Sequence, residues 1–498
     1  MVEKYYKELK QNCNLRENLS VLRGAIKEPL QKKKLLDLVG DDTLLVELLA
    51  AQDPKVRKNA ALLLGDLELQ QAAGALLEAY NSETTLFVKS AYLSALANLD
   101  VAEHLDFFKA RLAELTARTP EENEKKHIRE EIRELDQIIL AIEGVKKHTF
   151  TEFEKEHEII LTTNREQRNV TMEELQNVPA DVIRGASLHP LGVSVRAKKL
   201  RPYTNLRTYR EILLPIYTTA NSMQKPEEVA EAVWNSDLPV LLQECHKEDG
   251  PFYFRLELKS GMELDKKAVF AKRFAAELET CSGRSLINSA KDYELEIRLL
   301  ERKEGGFVPF CKLYTVPMKR FAYRKNAIAA SIHPALAATL VHLAKPWMKE
   351  NAQILDPFCG VGTMLIEREM QISAREKYGI DIFGDAIPMA RENAAAAEMR
   401  INYINRDYFD FTHEYYFDEI ITNMPIRGKK TREEMDAFYA DFFAKSKELL
   451  LPGGVMILYS NEEGFLKKQL RLNSEYRLLK EFVIREKEHF GLFVIQYK

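Results

Sequence analysis

From about residue 16 to 145 apolar residues recur at steps of three and four with no β-rich run among them, a pattern that predicts a region built of helices alone. Within it DPKVRKNAALLLGDL at 53–67 is echoed by TLFVKSAYLSALANL at 85–99. Val56 and Arg57 align with Val88 and Lys89, Ala60 and Ala61 with Tyr92 and Leu93, and Leu64 with Leu96. The charged run EENEKKHIREEIRELDQ at 121–137 predicts a solvated helix face. From about 148 to 315 the texture turns to mixed α and β, opening on HTFTEFEKEHEIILTT. Alternation predicts strands at FYFRLELK (252–259) and YELEIRLL (293–300), with the helix DKKAVFAKRFAAELET and a short connection, SGRSLINSAKD, between them and FVPFCKLYTV after them. From about 320 to 498 AQILDPFCG, KYGIDI, NYINRD, FDEIITNM and GGVMILYS read as five successive strands with helical patterns between most of them, the rhythm of a doubly wound parallel sheet.

A length of 498 residues agrees with that threefold division, at roughly 150 residues per domain. The expected domains are 1–145, 148–315 and 320–498. With 46% hydrophobic and 30% charged residues the chain can bury sizeable cores, and no apolar run approaches the roughly 20 residues of a membrane span. The opening MVEKYYKELKQNCNL lacks the apolar core and cleavage site of a signal peptide and carries acids that transit peptides avoid, so a cytoplasmic location is expected. Cys13, Cys245, Cys281, Cys311 and Cys359 stand singly with no CxxC pair, which predicts free thiols and no metal site. A net charge of −4 gives no overall pull toward nucleic acid, so any such binding must come from local basic patches. Oligomeric state is left open.

Chemistry concentrates in the last zone. In ILDPFCGVGTMLIE, residues 354–367, an acid, a proline and two glycines separate a strand from a helix. Such a turn frees backbone N–H groups at the helix start and lets a ligand approach closely. Gly360 and Gly362 supply a GxG, but there is no third glycine at Rossmann spacing and no Gly-Lys-Ser/Thr, which argues against NAD and ATP. Asp356, Asp381 and Asp407 fall at the ends of the first three strands, where ligands bind in such sheets. An acid after the second strand suits ribose hydroxyls and one after the third suits an exocyclic amine, so adenosine is the implied fragment. Any one of them alone is as well explained by a turn or a helix cap; three in register select a ligand. The fourth strand ends TNMPIRGKK, where the Asn423 carbonyl is presented by a chain stiffened at Pro425. Elsewhere RAKKLRPYTNLRTYR at 196–210 packs Arg196, Lys198, Lys199, Arg201, Arg207 and Arg210 around Tyr203 and Tyr209 with no acid. Basic side chains release counterions from RNA and tyrosines stack on unpaired bases. A second basic cluster, Lys319, Arg320, Arg324 and Lys325, sits where the middle zone hands over to the last.

The echo in the first zone resembles short HEAT-type repeats, although a plain helical bundle accounts for it equally. DPFCGVGT and TNMPIRGKK resemble the motifs of class I S-adenosylmethionine-dependent methyltransferases, in particular the amino methyltransferases whose fourth strand ends in Asn/Asp-Pro-Pro-aromatic. Within that class the chain looks most like the THUMP-domain tRNA guanine-N2 methyltransferases, some of which carry Met-Pro followed by a glycine and basic residues. The strand, helix and strand order of 252–316 is similar to a THUMP domain, with a ferredoxin-like segment before it. The implied fold is an all-α helical N-terminal domain, an α+β THUMP-like middle and an α/β Rossmann-like methyltransferase domain. The resemblance runs from about 148 to the end and leaves the N-terminal helices outside it, open to a protein partner.

That resemblance implies S-adenosyl-L-methionine as cofactor, with Asp356, Phe358, Gly360, Gly362 and Thr363 around its methionine portion, Asp381 on the ribose and Asp407 on the adenine. It implies that Asn423, Met424, Pro425 and Ile426 form the catalytic motif. The Asn423 side-chain carbonyl and the following backbone carbonyl would accept hydrogen bonds from the target NH2 and aim its lone pair, so that positioning supplies most of the rate without a metal. Arg196, Lys198, Lys199, Arg201, Arg324, Arg427 and Lys429 are the implied contacts to tRNA or another structured RNA. One departure is Ile426, where the family has an aromatic that stacks on the base, a contact worth about 1–3 kcal/mol. Either Arg427 supplies a stacking plane, another aromatic reaches in, or activity is weak and the domain serves only to bind RNA. Adenine N6 in DNA or RNA is the nearest rival target, since it presents the same amine geometry; the RNA-module-like middle favours tRNA.

Overall fold

The helical periodicity of the first zone folds as expected. In the computed structural model, which describes residues 2–40, 42–118, 120–121, 123–144, 147–179 and 182–498, the chain divides into two compact units, Met1–Lys146 and Lys147–Lys498. Glu122 of the charged run and Val145, the expected end of the helical zone, lie outside the described residues. The first unit contains α1 (Val2–Lys10), α2 (Leu15–Ala25), α3 (Pro29–Val39), α4 (Leu44–Glu47), α5 (Pro54–Asp66), α6 (Ala73–Ser82), α7 (Leu86–Leu96), α8 (Leu105–Ala117) and α9 (Lys125–Glu143). Asp53 caps α5 by accepting the Lys55 N–H, and Pro54 follows at the first helical position, where its missing N–H is harmless. The two echoed segments become α5 and α7, and the aligned pairs Val56/Val88 and Leu64/Leu96 are all buried. Gly65 permits this contact, because a Cβ there would stand 2.5 Å from the Ala95 Cα. The charged run does not form a wholly solvated face: Glu131 and Glu134 of α9 are buried. Glu131 accepts from the Tyr80 hydroxyl (2.5 Å) and from Arg111 Nε and Nη2 (3.0 and 2.9 Å), so its charge is paired inside.

The second unit holds two sheets. One is formed by β1 (His157–Thr162), β2 (Arg184–His189), β3 (Gly192–Ala197), β4 (Ile212–Pro215), β5 (Phe252–Lys259), β6 (Leu286–Asn288), β7 (Leu295–Glu301) and β8 (Phe307–Leu313), in the order β2-β3-β1-β4-β8-β7-β5-β6. It is accompanied by α10 (Arg168–Glu174), α11 (Pro226–Trp234), α12 (Leu238–Glu244) and α13 (Leu264–Cys281). The 282–292 segment, expected as a plain connection, contains β6, which adds to the sheet edge parallel to β5. Three residues are too few to show alternation, so pairing rather than pattern makes this strand.

The other sheet follows α14 (Pro334–Ala344) and consists of β9 (Ala352–Asp356), β10 (Ala374–Asp381), β11 (Asn402–Asn405), β12 (Phe417–Asn423), β13 (Leu450–Ser460), β14 (Tyr476–Arg485) and β15 (Phe490–Tyr497). Its order is β11-β10-β9-β12-β13-β15-β14, with the five expected strands parallel and β15 antiparallel to both neighbours. Helices α15 (Thr363–Gln371), α16 (Ala386–Ala396), α17 (Arg432–Leu449) and α18 (Glu463–Leu472) connect the strands. The strand order reverses between β9 and β12, which opens a crevice at their carboxyl ends. Helix α15 is fixed from two sides by adjacent residues. Glu367, fully buried, takes a two-pronged ion pair from Arg207 (2.8 and 2.8 Å) and a bond from the Tyr323 hydroxyl (2.6 Å). Arg368, fully buried, makes a two-pronged pair with Glu419 of β12 (2.9 and 2.9 Å).

Candidate active site

The crevice is assembled from the ends of β9, β10, β11 and β12. Asp356 ends β9 with 1% of its surface exposed, and its Oδ1 accepts the Thr422 hydroxyl (2.6 Å) and the Phe358 N–H (3.1 Å). Thr422 precedes Asn423, so this bond ties the glycine loop to the β12 motif. Burial pushes the Asp356 carboxyl up to about 7. The loop is then tied to β10: Gly360 N–H donates to Asp381 Oδ2 (2.8 Å) and Cys359 N–H to the Ile380 carbonyl (2.9 Å). Asp381 Oδ1 accepts from Phe383 N–H (2.8 Å), and Asp407 Oδ1 caps its own short turn by accepting from Phe409 N–H (3.0 Å). Each carboxylate offers about four lone-pair sites, so both acids keep acceptor capacity for a ligand.

The two glycines have different jobs. Gly362 has φ +82, and a Cβ there would fall 2.0 Å from the Tyr403 hydroxyl oxygen, so this position is small to admit a tyrosine of β11 rather than a ligand. Gly360, with φ +51, meets nothing nearer than Ile328 Cδ1 at 4.0 Å and is the place where a ligand can approach the backbone. Thr363 Oγ1, at the start of α15, is buried without a hydrogen-bond partner among the described residues. Phe358 is half-buried in an aromatic cluster with Tyr408, Phe438 and Phe442, at centroid distances of 5.7, 5.6 and 6.0 Å.

Asn423 is half-buried at the end of β12, and its side-chain amide has no hydrogen-bond partner among the described residues. Met424 is buried and donates its N–H to the Tyr459 carbonyl (2.9 Å); Pro425 has no N–H to donate. Ile426 is 62% exposed. Arg427 donates Nε to the Lys430 carbonyl (2.9 Å), which holds its guanidinium on its own turn, and Lys429 is exposed. Sequence reasoning passed over Ile382 and Phe383, 71% and 49% exposed, directly beyond Asp381. Two bare apolar residues following a strand-end acid make a platform for a flat apolar group, and the signal was present in GIDIFGD, where a polar loop would be the norm.

The basic stretch separates into two classes. Arg196, Lys198, Lys199 and Arg201 are exposed as expected. Tyr203 and Tyr209 are fully buried, so neither is available to stack on a base. Arg207 is engaged by Glu367, and Arg320 is buried over the Tyr209 ring (3.6 Å) with bonds to the Leu206 and Arg210 carbonyls (2.6 and 2.7 Å). These two arginines are structural because their guanidinium groups satisfy buried acceptors, which a charge count along the chain does not reveal. Arg324 is half-buried and, among the described residues, reaches only the Ile332 carbonyl, at 3.4 Å.

Residues 322–489 match the family model described as RMKL-like, methyltransferase domain. The C-terminal part of the second unit is thus similar to a methyltransferase domain. The chain is 26% identical over 155 residues to the tRNA (guanine(10)-N2)-dimethyltransferase of Methanothermobacter thermautotrophicus, covering 30% of this chain and 45% of that protein. It is 33% identical over 93 residues to an uncharacterized Mycoplasma genitalium protein, covering 18% and 20%. The chain thus spans less than half the length of the curated relatives it matches. TrmN from Thermus thermophilus is similar in structure, with a TM-score of 0.48 and 22% identity over 68% of this chain and 99% of that one. Among the described residues no helix is long and apolar enough to cross a membrane.

The residues present fit the cofactor. Among the described residues, a buried Thr363 hydroxyl without a partner, open space above Gly360, spare acceptor capacity on Asp381 and Asp407, and the bare Ile382/Phe383 pair all follow the carboxyl ends of neighbouring strands.

Proposed function

We propose that the chain methylates an exocyclic amine of a nucleobase in RNA, with guanine N2 of a cytoplasmic tRNA as the target. The observation that carries this reading is the state of Asn423: a half-buried amide with no partner among the described residues, followed by a Met424 carbonyl that takes no bond from them and a proline that cannot donate. Two acceptors side by side match the two hydrogens of an NH2 group. Donating both hydrogens in the plane of the acceptors turns the nitrogen lone pair outward, toward the crevice above Gly360. S-adenosylmethionine supplies the electrophilic methyl group when bound. The chain's own residues align rather than activate, which places the rate enhancement in orientation. Asp381 and Asp407 hold the ribose and adenine on the Ile382/Phe383 platform, and Asp356, Phe358 and Thr363 frame the methionine end.

The choice of guanine in tRNA rests on the match to a tRNA guanine-N2 dimethyltransferase together with the exposed cations Arg196, Lys198, Lys199 and Arg201 on the β1–β8 sheet, which we read as a THUMP-like RNA-binding domain. We read the first unit as HEAT-like and as the surface for a protein partner. The exposed Ile426 gives the base apolar contact in place of a stacked ring.

Asn423→Ala tests the reading. Transfer is expected to fall by at least a hundredfold while the affinities for S-adenosylhomocysteine and tRNA stay within about twofold, because the lost carbonyl acts in the transition state more than in binding. Nucleoside mass spectrometry of tRNA from cells with and without the protein identifies the product: loss of N2-methylated guanosine supports the assignment, and loss of N6-methyladenosine instead would move it to adenine. An Asn423→Ala enzyme that still works at the wild-type rate would exclude this active site.

A further inference from the structure

Several cations gather near the residue that faces Asn423 across the sheet. In the parallel pair β12 and β13, Asn423 stands opposite Tyr459, so the two side chains share a face of the sheet about 4.8 Å apart. The Tyr459 ring stacks on Phe490 (centroids 4.8 Å, interplanar angle 22°), and its hydroxyl is buried with no hydrogen-bond partner among the described residues. Arg210 and Arg485 lie within electrostatic reach of that hydroxyl. The His333 ring packs edge-on against Phe321 (centroids 6.1 Å), Arg320 lies over that same Phe321 ring (4.6 Å) and donates to the Arg210 carbonyl (2.7 Å), and Arg324 donates to the carbonyl of Ile332 beside His333 (3.4 Å). His333 caps α14 by accepting the Ala335 N–H at Nδ1 (3.1 Å), which puts the ring proton on Nε2.

The acids nearby are already taken: Glu488 by Arg485 (2.8 Å), and Glu211 by Arg298 and Lys312 (2.7 and 2.6 Å). Among the described residues neither Arg210 nor Arg324 has a carboxylate partner, and Arg324 Nε is buried without any acceptor. Burial and the surrounding arginines hold the His333 ring down to about 4, so it stays neutral and is a pure donor at Nε2 near neutral pH. A group of donors with so few acceptors is satisfied by an anion.

We propose that Arg210, Arg324 and the His333 Nε2–H, with the Tyr459 hydroxyl beneath them, form a seat for one backbone phosphate of the RNA strand whose base is presented to Asn423. The inference rests on the methyltransferase reading of Asn423 and adds the group that holds the target nucleotide while its base is inserted. A base drawn out of its stack brings its own phosphate with it, and two guanidinium forks suit tetrahedral oxygens. The cofactor's carboxylate is the rival occupant, and a loss of S-adenosylhomocysteine affinity in the glutamine variants would assign the seat to it.

The full chain and its Arg210→Gln, Arg210→Lys and Arg324→Gln variants test the seat in two arms. In the first, inorganic phosphate is added at constant ionic strength set with chloride: it is expected to raise the wild-type melting temperature and to lose that effect in both glutamine variants. In the second, tRNA affinity is measured against salt. Arg210→Gln is expected to weaken binding several-fold and to lower the slope of log affinity against log salt by about 0.7–0.9, one phosphate contact, with Arg210→Lys keeping most of the slope. S-adenosylhomocysteine affinity is expected to be unchanged throughout. Equal phosphate protection of wild type and glutamine variants would overturn the seat, and an unchanged salt slope would overturn its assignment to RNA. Phosphate protection that depends on Arg210 in a protein that methylates no RNA would uphold the anion seat and remove the methyltransferase reading, so the two fail separately.

Discussion

Asp356, expected to face a ligand, is also a structural joint. Its Oδ1 joins the glycine loop to Thr422, and burial raises its carboxyl from 3.8 to about 7. A carboxyl raised in the folded state favours the protonated form there, so stability from this group is complete below pH about 4 and is lost as pH rises to about 7. Asp356→Asn removes that titration. Its melting temperature relative to wild type is expected to be more favourable at pH 8 than at pH 5; an equal difference at both would mean the carboxyl is ionised throughout. At this scale the sequence disclosed that Asp356, Asp381, Asp407 and Asn423 stand at strand ends but not what each one faces. The acid register and Asn423 were legible because spacing along strands is a one-dimensional signal. The roles of Gly362, Tyr203 and Arg320 were hidden because their partners, Tyr403, Val182 and Tyr209, are remote or turned inward. Ile382 and Phe383 were legible in principle and overlooked beside the acid.

Among the elements, α15 is the one on which the most depends. It starts at the glycine loop, and its last turns present Glu367 to Arg207 and Arg368 to Glu419. Removing one partner of a buried pair strands the other charge, so Arg207→Ala is expected to destabilise the second unit by about 3–5 kcal/mol in chemical denaturation. The double change Arg207→Met with Glu367→Leu is expected to recover part of this, the remainder reflecting the Tyr323 hydroxyl left without its acceptor. A loss below about 1 kcal/mol in the single variant would show that the pair contributes little. The five parallel strands were readable from alternating apolar runs and Gly-Asp punctuation. The β14–β15 hairpin and β6 were not, since edge strands draw their identity from a neighbour already in place.

For the whole molecule, the boundary suggested near residue 320 is crossed by strong bonds. Arg207 reaches Glu367, Gln167 donates to the Val483 carbonyl (2.6 Å), and the Thr339 hydroxyl bonds the Thr208 carbonyl (3.3 Å). A 147–498 fragment is therefore expected to bind S-adenosylhomocysteine in calorimetry with the affinity of the full chain, whereas 320–498, with Glu367 bared of Arg207, is expected to be aggregation-prone or to melt well below it. Equal stability of the two fragments would show that these bonds are dispensable. The adjacency of Glu367 and Arg368 has a consequence for how such proteins are rebuilt. Because the acid answers to the β1–β8 half and the base answers to the β9–β15 sheet, a foreign module grafted at residue 320 meets an unneutralised carboxylate unless an arginine comes with it. Recombination between relatives is thereby filtered: only crossovers that carry both members of the pair yield working chimeras.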